Sequence, residues 1–119
     1  MVEALGGKIV ACSDESLLDK EYETAFATDL MSDALALIQD SPETTVLITG
    51  LCNPQSLRTA EMLDVGMIVF VRGKKLSDDL IEIAKGMDTV VATSPFTMYE
   101  TCGNLYMLGL GGIYGYSAS

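Results

Sequence analysis

Residues 44–108, TTVLITGLCNPQSLRTAEMLDVGMIVFVRGKKLSDDLIEIAKGMDTVVATSPFTMYETCGNLYML, read as strand and helix in alternation, three times over. The strands are Val46-Leu47-Ile48-Thr49, Met67-Ile68-Val69-Phe70-Val71 and Thr89-Val90-Val91-Ala92-Thr93. Each is a short, almost unbroken apolar run of the kind covered on both faces. Each leads into a turn with a helix-start signal. Asn53-Pro54 sets a capping side chain before a proline at the first helical position. Ser77-Asp78-Asp79 sets a cap before two carboxylates that suit the positive end of a helix dipole. Thr97-Met98-Tyr99-Glu100 has capping-box spacing. The alternation predicts parallel strands joined by crossover helices.

Outward from this stretch, Lys8-Ile9-Val10-Ala11-Cys12 reads as a first strand and 13–21 as a charged connection. Tyr22–Ala27 alternates and suits a partly exposed strand. The first helix is expected from Thr28-Asp29, with Leu30, Ala34, Leu37 and Ile38 on one face and a stop at Asp40-Ser41-Pro42. The helix from Pro54 to Leu63 turns Leu57, Ala60 and Leu63 inward. The helix from Asp78 to Lys85 carries a stripe of Leu80, Ile83, Ala84 and Met87, with Gly86 placed for a left-handed cap. The last helix, from Thr97 to Leu108, is expected to bury some combination of Phe96, Tyr99, Gly103, Tyr106 and Met107. From Gly109 the chain reads as irregular, with 113–119 a flexible tail.

The 119 residues suit one domain. With 17 acidic and 7 basic residues the net charge is −10, which repels phosphate backbones and anionic membrane. Neither nucleic acid nor membrane is an expected partner. No histidine is present, so Ser-His-Asp and Cys-His nucleophile systems and histidine metal sites drop out. Cys12, Cys52 and Cys102 are scattered, with no CxxC pair, and read as small buried hydrophobes in a reduced, cytoplasmic protein. The N-terminus lacks the basic and apolar segments of a signal peptide. Hydrophobic residues make up 49%, which calls for a dense core or a partner over the surplus. The candidate surfaces are the Tyr22–Ala27 strand, the last helix around Tyr106, and the tail with Ile113, Tyr114 and Tyr116. A homo-oligomer, most simply a dimer, follows as the expectation.

No phosphate loop is present. Gly66 and Gly73-Lys74 lack Walker spacing, Gly50 stands alone, and Gly109-Leu110-Gly111-Gly112 follows a helix rather than a strand. Asp29 and Asp33 stand four apart, a spacing open to metal or acid–base work, but Asp29 fits the first helical turn as a plain carboxylate. No metal or other cofactor and no catalytic residue is expected. Ligands of open parallel sheets sit beyond the carboxyl ends of the strands. A site there is lined by Thr49, Asn53, Arg72, Thr93, Ser94 and Thr97, which suit a carboxylate or phosphate and equally suit helix caps.

These motifs resemble a DRTGG domain over roughly residues 8–112. Thr28-Asp29-Leu30 lies where that family has its Asp-Arg pair, and Val46–Leu51 resembles its strand ending in Thr-Gly-Gly. Residues 67–73 and 94–101 resemble the remainder. Leu30 and Leu51 depart from the family's arginine and second glycine. The resemblance implies a single α/β domain, a mainly parallel sheet flanked by helices, similar to the N-terminal domain of HPr kinase/phosphorylase. It implies a non-catalytic, often dimerising regulatory module, as beside CBS domains in some pyrophosphatases. Stand-alone forms resemble proteins encoded near iron-only hydrogenase genes. The expectation is therefore a regulatory or assembly module acting through self-association and protein partners, linked to hydrogenase or energy metabolism. The alternative is a sensor of an anionic metabolite or nucleotide at the strand ends.

Overall fold

The computed structural model describes residues 2–12 and 21–113. Its sheet has five strands in the order β1-β5-β4-β3-β2. They are β1 (Lys8–Ala11), β2 (Thr24–Ala27), β3 (Thr45–Thr49), β4 (Met67–Phe70) and β5 (Val90–Thr93). The helices are α1 (Val2–Leu5), α2 (Met31–Leu37), α3 (Pro54–Leu63), α4 (Asp78–Lys85) and α5 (Met98–Met107). Strands β2 to β5 are parallel, with Leu47 opposite Ile68 and Ile68 opposite Val91. The predicted α/β fold with a mainly parallel sheet is the observed one. The charged connection lies outside the described residues apart from Glu21, as does the tail apart from Ile113.

The apolar runs are unbroken because both faces of the sheet are covered. Leu47, Ile68, Phe70 and Val91 pack against α2, α3 and α4. Val46, Ile48, Met67, Val69, Val90 and Ala92 alternate to the other face, against α1 and α5. Period-two alternation thus feeds two cores, and β3 and β4 are buried along their whole length.

Strand β1 pairs antiparallel with β5, Lys8 opposite Thr93. A bulge between Ile9 and Ala11 leaves Val10 unpaired. Bulges of this kind bend and blunt an edge strand. At the opposite edge Gly111 donates to the Glu23 carbonyl and accepts from the Ala25 N–H, both at 2.9 Å. With Leu110 buried, the chain just beyond α5 is thus more ordered than its glycines suggest.

The three capping side chains act as read, but the reciprocal capping box forms at Asn53 and Ser56 and not at Thr97 and Glu100. Asn53 accepts from the Ser56 N–H at 2.9 Å, Ser77 from Leu80 at 3.3 Å and Thr97 from Glu100 at 3.4 Å. Three further expectations are corrected. Helix α2 starts at Met31 and buries Met31, Ala34 and Ile38, while Leu30 and Leu37 are exposed. The Thr28 hydroxyl accepts from the Leu30 N–H at 3.0 Å, and this turn keeps Leu30 extended and off the helix face. Gly86 is right-handed at φ −86°; the left-handed cap is Asp64, at φ 59° after α3. Helix α5 buries Thr101 and Leu105, with Tyr99, Tyr106 and Met107 outward at 87%, 54% and 87% exposure.

Candidate functional site

The carboxyl ends of β2 to β5 and the turns behind them share one edge. The β2–α2 turn brings Asp29 to the end of β3. Its carboxylate accepts from the Gly50 N–H at 2.7 Å and from the Thr49 hydroxyl at 3.2 Å. Thr49 Oγ1 in turn accepts from the Leu51 N–H at 3.1 Å. Thr49 is buried and its hydroxyl is consumed inside the turn. A Cβ at Gly50 would lie 2.8 Å from Arg72 Nη2, which would have to swing aside, and 3.3 Å from Asp29 Oδ1. A guanidinium and a carboxylate therefore flank one bare main-chain position.

The next turn is strained. Arg72 and Gly73 both have positive φ, 64° and 66°. For arginine this costs about 1 kcal/mol or more. The turn is held by the Arg72 N–H donating to the Phe96 carbonyl at 2.7 Å and the Gly73 N–H to the Ser94 carbonyl at 2.9 Å. The loop after β4 is thereby pinned to the loop after β5.

The six sequence-predicted residues do not share one role. Thr93 and Ser94 line a groove of about 710 Å³ between β1 and the start of α4. The Ser94 side chain is fully buried, and its hydroxyl donates to the Leu5 carbonyl at 2.7 Å, pairs with Thr101 Oγ1 at 3.2 Å and accepts from the Phe96 N–H at 3.2 Å. Asn53 and Thr97 cap α3 and α5. Thr49 and Arg72 belong to the neighbouring turns and do not line the groove.

The six residues leave out Lys8, Lys74 and Lys75, which line the same groove. Lys8 was hidden by strand direction, because only an antiparallel β1 brings its amino end beside Thr93. The signal was Gly6-Gly7 before Lys8. Gly6 takes φ +63°, and a Cβ on Gly7 would overlap the Thr93 carbonyl oxygen.

Burial pushes the Cys52 thiol up, with the Lys74 charge opposing, and burial pushes the Cys102 thiol up as well. Neither thiol gains the thiolate character of a nucleophile. Among the described residues no three metal-ligating side chains gather, and no helix is long and apolar enough to cross a membrane.

No family model and no curated protein matches the chain. A solved structure does. It is the CBS and DRTGG domains of the regulatory region of a Clostridium perfringens pyrophosphatase, complexed with an activator, diadenosine tetraphosphate. The likeness has a TM-score of 0.68 at 16% identity, over 87% of this chain and 43% of that one. This chain spans less than half the neighbour's length. At that identity the likeness bears on fold, and it supports a DRTGG-related one.

Proposed function

We propose that this chain is a non-catalytic regulatory or assembly module that self-associates through the outward face of α5. The observation that carries the reading is the stripe Tyr99, Gly103, Tyr106 and Met107. These positions fall at i, i+4, i+7 and i+8, one face of the helix, and all are exposed. Glu100 is the one charged residue in α5, so the face is close to neutral on a chain of net charge −10. A second copy meets a single carboxylate there, Glu100, three residues before Gly103 and seven before Met107. Gly103 adds to this. Mid-helix glycine costs about 1 kcal/mol against alanine, yet a Cβ there would meet nothing within 4 Å in the chain itself. A close helix crossing with a second copy gives the bare position a use.

The exposed parts of Tyr99, Tyr106, Met107 and Leu108 offer roughly 500 Å², against roughly 800 Å² per partner for a stable interface. The apolar groove beside Tyr106, lined by Ala25, Ala27, Cys102 and Leu110, extends the patch. The neighbour's regulatory region is a setting in which a fold of this kind accompanies control of an enzyme. A place beside hydrogenase or energy metabolism rests on the sequence resemblance alone. The sensor reading is favoured by a separate observation, the lysine groove.

Sedimentation equilibrium at micromolar concentration tests the proposal. The expected mass is twice the 12.7 kDa of the chain, falling to one chain when Tyr106→Glu and Met107→Glu are combined. Both side chains are exposed, so the fold should survive the change. A monomeric parent protein, or a doubly substituted protein that stays dimeric, overturns the reading.

A further inference from the structure

We infer that the groove between β1 and α4 is a binding site for a polyphosphate carrying an apolar ring, of the size and chemistry of a nucleoside triphosphate. This rests on a surface distinct from α5. Its failure therefore leaves self-association standing, and the reverse holds.

The first observation is charge segregation. The chain has seven basic residues against 17 acidic ones, yet Lys8, Lys74 and Lys75 converge on this one groove, with Asp78 the only carboxylate on it among the described residues. All three lysines are exposed. The only ion pair among the described residues joins Lys85 to Glu82, at 3.6 Å on the exposed side of α4. Among the described residues the groove lysines thus form no ion pair, on a molecule rich in carboxylates.

The second observation is how the lysines are held. Lys8 follows Gly7, whose lack of a side chain lets β1 close onto the Thr93 carbonyl. Lys74 and Lys75 follow the strained Arg72-Gly73 turn, which two main-chain hydrogen bonds fasten to the β5–α5 loop. Strain of this kind persists where surrounding structure enforces it and gathers at functional sites. Here it fixes the base of two lysines opposite a third, so little of their main-chain freedom remains to be lost on binding.

The third is shape. The volume, about 710 Å³, falls in the range of small-molecule sites, roughly 300–1,000 Å³. Ile9, Val10, Leu76 and Ile81 line it alongside the lysines. The bulge at Val10 and the packing of α4 beyond β1 leave this apolar surface partly open. An apolar lining suits a ring, and a cationic one suits a chain of phosphates.

Calorimetry on the full chain in low salt tests the proposal, with ATP, tripolyphosphate, adenosine and a hexaglutamate peptide as probes. ATP should bind, tripolyphosphate more weakly, and adenosine not measurably. The affinity for ATP should fall with rising salt. Replacing Lys74 and Lys75 by alanine should weaken ATP about tenfold or more, with unchanged far-ultraviolet circular dichroism and unchanged oligomeric mass. Lys8→Ala should do the same from the other wall. No binding at millimolar ATP overturns the proposal. So do binding unaffected by the lysine changes, equal affinity for tripolyphosphate and ATP, and preference for hexaglutamate.

Discussion

Ser94→Ala separates a ligand-lining serine from a structural one. Three partners surround its hydroxyl: the Leu5 carbonyl at 2.7 Å, Thr101 Oγ1 at 3.2 Å and the Phe96 N–H at 3.2 Å. Leu5 and Thr101 are fully buried, so water cannot replace the lost hydroxyl without opening the core. Each orphaned buried group costs about 1–3 kcal/mol. Phe96 is half-buried and recovers part of its loss from solvent. The sum is about 3 kcal/mol, a large share of the 5–15 kcal/mol typical of a domain. Urea unfolding should show a midpoint lowered by about 2 M at an ordinary m-value. The comparison must use one protein concentration, because self-association adds stability by mass action. A loss below about 0.5 kcal/mol would refute the junction and return Ser94 to the groove as a free hydroxyl.

Gly103→Ala should stabilise the isolated chain by about 0.5–1 kcal/mol, since its Cβ meets nothing, while weakening the dimer in sedimentation; stabilisation without any change in association would remove the close helix crossing. Burial, with a smaller contribution from Cys12, pushes the Tyr22 hydroxyl up from 10.0 to about 12. The unfolded chain therefore loses this proton first, and stability should be level below pH 10 and fall between pH 10 and 12; absorbance titration should show a late-ionising tyrosine, and a single transition near pH 10 would contradict it.

The fold was legible where a pattern admits one physical solution. The strands β3, β4 and β5 are apolar runs with no polar face, and only a doubly covered sheet buries them. Asn53, Ser77 and Thr97 announced their helices through side-chain chemistry that works locally. What stayed hidden depends on partners distant in sequence. The direction of β1 is one such property, because four residues carry no mark of which way they pair, and the close approach of Gly7 to Thr93 shows only in the folded chain. The face of α5 is another. Periodicity shows that Tyr99, Gly103, Tyr106 and Met107 share a face, but not which way that face looks. Thr101 and Leu105, also four apart, take the core because Thr101 reaches Ser94 and Leu105 packs among Ile48, Val69 and Leu110. Thr93 and Ser94 reached the groove from the strand-end rule alone, whereas Lys8 needed the topology.

The same topology ties the two proposed surfaces together. Ser94 sits at the foot of β5 and binds both Leu5, just before the Gly6-Gly7-Lys8 wall of the groove, and Thr101 in α5. Asn104 Nδ2 adds a second tie from α5, donating to the Ala4 carbonyl at 3.0 Å. One buried junction thus supports the lysine groove on one side and the tyrosine face on the other. Perturbations should sort accordingly. Lys74 and Lys75 stand exposed on the β4–α4 turn and line the groove, and Gly103 stands on the outer side of α5, within the proposed association face. Ser94 lies between and loosens both walls together. Loss of binding or of association after a change at Ser94 therefore speaks to the scaffold, whereas the same loss after a change at a groove lysine or at Gly103 speaks to the surface itself.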